Sequence, residues 1–128
     1  MNTEFGAGLI ILVVVDVEET RDGIEQLLRV NGFRVEAARN ELAAVESALR
    51  KRPDLILVSL NGPLRDVLSA ARQVRERAGL GAEVPVVLFS IAEIAEGEEV
   101  AAGRGVYLTR PDNFNQLRAL LARLLGRM

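Results

Sequence analysis

The chain has no cysteine and no histidine, and Lys51 is its single lysine. Without cysteine there are no disulfides and no thiolate nucleophile. Without histidine as well, most zinc sites disappear, and so does the side chain most used for proton transfer near neutral pH. Aromatic residues make up only 4% of the 128, so any core must be aliphatic. Neither charge sign is in clear excess, with 16 basic and 18 acidic residues and a formal net charge of -2. A broad electrostatic grip on nucleic acid or anionic lipid is therefore not expected. Long hydrophobic runs are missing too. The longest, residues 9–15, is far too short to span a bilayer, and no basic segment precedes it as a signal peptide requires. No G-x-G-x-x-G or P-loop follows any apolar run. The expectation is a soluble, cytoplasmic domain with no membrane or nucleic-acid partner.

What is present is 49% hydrophobic residues in a chain the length of one compact domain. Residues 1–8 read as a flexible lead-in and 9–128 as a single domain. Residues 9–15 form a continuous apolar run, the mark of a strand covered on both faces, ending in Asp16, Glu18 and Glu19. Ile24, Leu27 and Leu28 then fall at helical spacing, and Gly32 supplies a stop. Residues 33–38 alternate as a second strand. Asn40 offers an N-cap to a helix with the expected inner face Leu42, Val45 and Leu49, closed by Arg50, Lys51 and Arg52.

Residues 53–63, PDLILVSLNGP, read as a central buried strand delivering Ser59 to its C-terminal tip, followed by a polar turn. In open parallel sheets ligands and chemistry gather at such tips. Leu64, Leu68, Ala71 and Val74 mark the next helix, and Gly79 and Gly81 break it. Residues 84–89 form a fourth buried strand ending at Ser90. Residues 93–102 have helical composition, although Gly97 lies inside them. Residues 106–108 make a fifth strand, and Asn113 with Gln116 caps a last helix striped by Phe114, Leu117, Leu120, Leu121, Leu124 and Leu125. Five strands alternating with five helices through short loops specify a parallel α/β sheet with helices on both faces.

Five pieces in order, ILVVVDVEETR, the GF before strand two, PDLILVSLNGP, VPVVLFS and YLTRP, resemble the receiver domain of bacterial two-component response regulators. The resemblance covers essentially the whole chain and implies a flavodoxin-like fold of strand order 2-1-3-4-5. It also implies a functional pocket at the C-terminal ends of strands one, three, four and five. In a working receiver, an aspartate ending strand three accepts a phosphoryl group, two acids ending strand one help hold Mg²⁺, and a lysine ends strand five. The ion and the ammonium neutralise charge that would repel the incoming phosphate.

This chain departs from that pattern at three places. Ser59 stands at the acceptor position, Val15 replaces the first acid with only Asp16 kept, and Arg110 stands for the lysine. Nothing near Ser59 in the sequence can deprotonate it. Asp54 cannot substitute, being about 16 Å away along the strand. The remaining donors, Asp16, the Asn61 carbonyl, Glu18 or Glu19, make a Mg²⁺ site improbable, and no cofactor is expected. Arg110 has two readings, an ion pair with Asp16 or a planar fork for an anion or a partner's carboxylate. Ser90 matches the hydroxyl position ending strand four or simply caps a turn. Tyr107 matches the aromatic whose rotation accompanies activation in the family, or is a half-buried strand residue. Asn61, Pro63 and Asp66 fit the turn after strand three, with Val67 where glycine is usual.

The expected function is a pseudo-receiver, a non-enzymatic signalling module that has lost phosphotransfer. It would bind a protein partner or a second copy through the fourth helix, fifth strand and last helix. There Arg104, Arg118, Arg123 and Arg127 beside Glu96, Glu98 and Glu99 would give a mixed-charge face. The alternatives are a small-ligand-binding domain using the same cleft, and a receiver retaining non-standard phosphorylation.

Overall fold

The structure, a computed structural model, describes residues 8–126. The expected lead-in at 1–8 thus lies outside the described residues except for Gly8, whose amide donates to the Gly32 carbonyl. The element order is β1 (Ile10–Val15), α1 (Glu18–Val30), β2 (Arg34–Ala38), α2 (Glu41–Arg50), β3 (Leu55–Ser59), α3 (Leu64–Arg77), β4 (Val86–Leu88), β5 (Glu99–Gly103), β6 (Val106–Thr109) and α4 (Phe114–Leu124). One sheet runs β2-β1-β3-β4-β6-β5. Its first five strands are parallel, in the doubly wound order the sequence implied, and β5 joins the far edge antiparallel to β6.

The alternation of side chains along buried strands divides the core in two. Ile11, Val13 and Val15 of β1 and Leu55 and Leu57 of β3 pack toward α1 and α4, against Leu28, Leu117, Leu120 and Leu121. Leu12, Val14, Ile56 and Val58 pack toward α2 and α3, against Ala44, Val45, Ala48, Ala71 and Val74. The central strand is deeply buried, with Leu55, Ile56 and Leu57 fully inaccessible, as are Val86, Val87 and Leu88 of β4 beside it. The start of β1 is pinned by Asp54, whose carboxylate accepts the Ile10 amide at 2.8 Å. That carboxylate lies at the opposite end of the sheet from Ser59.

Capping follows the sequence closely. Asn40 accepts the Ala43 amide at 2.9 Å and Asn113 accepts the Gln116 amide at 3.0 Å, each satisfying one orphan donor of a first helical turn. Gln116 in return accepts the Asp112 amide at 2.6 Å.

Two expectations are corrected. Leu42 and Leu49 do not form the inner face of α2; they are 61% and 63% exposed, and Leu27 on α1 is 41% exposed. The buried residues of α2 are Ala44, Val45, Ser47 and Ala48. Small side chains there allow α2 to lie close to the sheet and to α3, and this rotates the leucines outward.

The expected fourth helix over residues 93–102 is likewise absent, leaving four helices among the described residues. Gly97 has φ +84°, which ends any helix there. The chain then forms β5 and reverses through Arg104 and Gly105 at φ +54° and +74°. Gly103 faces Val106 across a two-residue loop. Positive φ at both central residues is the pattern of a type I′ hairpin turn, whose twist matches that of the strands.

Candidate functional site

The C-terminal tips of β1, β3, β4 and β6 meet at one end of the sheet. Val15 is the register partner of Ser59, so the two lie side by side. Val15 is 1% exposed, its methyls packed with the α1 and α4 core. Beyond it, Asp16 turns back over the tip of β3. Its carboxylate accepts the Asn61 amide at 2.8 Å, and its own amide reaches the Ser59 carbonyl at 3.4 Å. Asp16 therefore holds the turn that follows β3.

Ser59 and Asn61 open onto a cleft of about 220 Å³ whose other walls include Leu64, Val67, Phe89 and Ser90. This is below the roughly 300–1,000 Å³ of ordinary small-ligand pockets, so it does not suit a nucleotide or a flavin. Ser90 takes φ +62°, a left-handed conformation that serine adopts at a cost of about 1–2 kcal/mol. Its exposed side chain rims the cleft. Tyr107 is half-buried on β6, with Val87 on one side and Ala101 of β5 on the other.

Arg110 does not join this group. Its guanidinium donates to the Ile94 carbonyl at 3.2 Å, its amide to Glu98, and its carbonyl accepts from Gly97. Among the described residues, no ion pair links it to Asp16. Arg110 instead fastens the loop before β5 to the end of β6. The cation that does reach the strand tips is Arg21 of α1, which donates to the Val15 carbonyl at 2.8 Å. Sequence reasoning passed over it. The available signal was an arginine inside the first turns of a helix otherwise opened by Glu18, Glu19 and Asp22.

Residues 11–122 match the family model of the response regulator receiver domain. The chain belongs to the response regulator receiver domain family. It is 32% identical over 120 residues to the response regulator MprA of Mycobacterium leprae, covering 91% of this chain and 51% of that protein. The chain thus spans about half the length of the curated relatives it matches. Among solved structures, the receiver domain of the sensor histidine kinase PA1611 from Pseudomonas aeruginosa is 31% identical, with 94% of this chain and 99% of that one covered and a TM-score of 0.70. The response regulator TrrA from Thermotoga maritima, 19% identical with 91% and 98% covered and a TM-score of 0.68, shares the fold.

That TrrA structure holds Mg²⁺ with BeF, and the PA1611 receiver has a magnesium ion in its active-site cleft. The donor set of this receiver domain does not fit the ion. Where carboxylates would converge on a hard cation, the tips of β1 and β3 offer an apolar Val15, a hydroxyl at Ser59 and one carboxylate at Asp16, engaged by Asn61. Among the described residues, no group of three or more Asp or Glu side chains comes together as a metal site. Nor is any helix among them long and apolar enough to cross a membrane.

The expected mixed-charge face is also rearranged. Arg123 pairs with Glu99 of β5 at 2.6 Å. Arg118 instead reaches Asn31 at the end of α1, and Arg104 lines a cleft against α3. Arg127 lies outside the described residues.

Proposed function

We propose that this receiver domain works without phosphotransfer, as a signalling module that acts by binding protein through β5, β6 and α4. The supporting observation is the pairing of Val15 with Ser59 at the tips of the two central strands. An acyl phosphate needs a carboxylate on one strand and an ion-holding acid on the next, and here both positions are uncharged. Ser59 is no substitute acceptor: a hydroxyl needs a base to attack phosphorus. Of the carboxylates at this end, Asp16 is committed to the Asn61 amide, and Glu93 is an exposed side chain on the cleft wall. No Mg²⁺-dependent step, and no cofactor, belongs to this reading.

The binding face follows from the element that replaced the fourth helix. Strand β5 is short, alternates between exposed and half-buried residues, and forms one edge of the sheet. Arg110 and the Arg123–Glu99 pair hold it against the body of the domain. The face is thus fixed by contacts that do not depend on the strand tips. Incubation with acetyl phosphate and Mg²⁺ followed by intact mass tests the first half of the proposal. No added phosphoryl group is expected, and one phosphoryl group per chain would overturn it. Light scattering at high concentration tests a second copy as the partner. A dimer that the β5 substitution Ala101→Pro dissolves is expected if the partner is another copy.

A further inference from the structure

At the end of the sheet opposite Ser59, a cleft of about 400 Å³ opens between the C-terminal end of α3 and the hairpin turn before β6. Three guanidinium groups line it, Arg72, Arg75 and Arg104, with Leu80 and Ala82 as an apolar wall and Glu76 as the single acid. Among the described residues, no ion pair joins Glu76 to any of the three. Glu83 nearby is paired with Arg52 and partly offsets the positive charge around Arg75.

Arg75 is 7% exposed and donates one bond, from Nη1 to the Val84 carbonyl at 3.1 Å. Arg72 donates one, to the Ala102 carbonyl at 3.1 Å. A guanidinium carries five donors, so most of theirs remain for a ligand. Burial, with the charges of Arg72 and Arg104, holds the Arg75 pKa below its usual value.

Arg104 makes no hydrogen bond or ion pair among the described residues. It also stands at φ +54°, the first central position of a turn that favours glycine or asparagine. Two features are therefore unfavourable in the free protein: an arginine at a position suited to glycine, and three like charges gathered with one of them almost fully buried. Strain of this kind persists where a ligand contact uses it. A structural role would need neither. Arg72 already ties β5 to α3 and Arg75 ties the segment before β4 to it, while Arg104 brings a further like charge beside Arg75.

We propose that this cleft binds the phosphate group of a small ligand, its oxygens bridging the forks of Arg72, Arg75 and Arg104 and its remaining body lying against Leu80. Phosphate suits three planar forks arriving from different elements, because its tetrahedral oxygens accept from several directions and its charge offsets theirs. The site is independent of the strand tips and of whether Ser59 or Asp16 takes part in any reaction.

Calorimetric titration of the full chain with pyrophosphate, at an ionic strength matched with chloride, tests the proposal. A saturable one-to-one isotherm is expected, with a rise in Tm. Arg104→Gly should stay folded with a Tm no lower than the wild type without pyrophosphate, yet bind at least about tenfold more weakly, a loss of one arm of a charge-assisted clamp. Arg104→Asn, another residue type that accepts positive φ, should give the same loss. The absence of a saturable isotherm beyond the chloride control would overturn the proposal, as would wild-type affinity in both Arg104 variants.

Discussion

A single register pair, Val15 beside Ser59, carries the proposal that the strand tips of this receiver domain work without phosphotransfer. Restoring a carboxylate on one member is not expected to restore a site. In Ser59→Asp the new carboxylate would sit next to the Val15 methyls and near Asp16, a like charge, with the Arg21 guanidinium held on the Val15 carbonyl. Two neighbouring carboxylates without a counter-ion repel, and phosphate approach makes this worse. Ser59→Asp alone should therefore gain no phosphoryl group from acetyl phosphate and Mg²⁺ by intact mass; phosphorylation of this variant would show that Asp16 suffices to hold the ion. Ser90 offers a stability test at the same end. At φ +62° a β-branched side chain is strongly disfavoured, so Ser90→Val should lower stability by about 1–2 kcal/mol. Ser90→Gly should hold it level or raise it, by denaturant titration.

At the scale of elements, what the sequence revealed depended on how local the deciding interaction was. The strands of the central sheet are continuous apolar runs, and burial on both faces follows from that pattern alone. The caps at Asn40 and Asn113 are made within three residues and were equally legible. The face of α2 was not, because helical spacing permits either Leu42, Val45 and Leu49 or Ala44, Val45 and Ala48. The choice depends on how closely α3 and the sheet approach. Glutamate at Leu42 or Leu49 should consequently change stability by no more than about 0.5 kcal/mol, whereas Leu121→Ala, fully buried, should cost about 2–5 kcal/mol. The hairpin that replaced the fourth helix is a second case. Its signal was the run Gly103, Arg104, Gly105, hidden because arginine at the first central position is unusual for such a turn. Gly105 is the tightest point: at φ +74°, a Cβ there would stand 2.6 Å from the Ala82 carbonyl oxygen. Gly105→Ala should destabilise the domain by about 2 kcal/mol or more. Exchange of the β5 and β6 amides should rise more than that of β1 and β3, since the hairpin hangs on this contact.

Over the whole molecule, the two ends of the sheet differ in electrostatic character. The end that would hold magnesium in a phosphorylating relative has the engaged Asp16 and Glu93 on the cleft wall, while the far end gathers three arginines against a single acid. The site could be read from the sequence only where the family pattern was broken. Departures from the family pattern at Val15 and Ser59 are visible in one dimension, but Arg110 turning toward Ile94 and Arg104 turning toward α3 depend on a hairpin that periodicity did not reveal. Linkage gives a direct test of the magnesium end. An ion bound only by the folded state, at a tenfold excess over its dissociation constant, adds about 1.4 kcal/mol. In a domain of this size that raises Tm by roughly 4 °C. The donor set at Asp16 predicts a much smaller change, less than about 1 °C beyond a matched sodium control, since one exposed carboxylate with water offers little to a hard cation. A saturating rise of several degrees that Asp16→Asn abolishes would show that the tip still holds an ion, and would return the strand tips to the chemistry of their relatives.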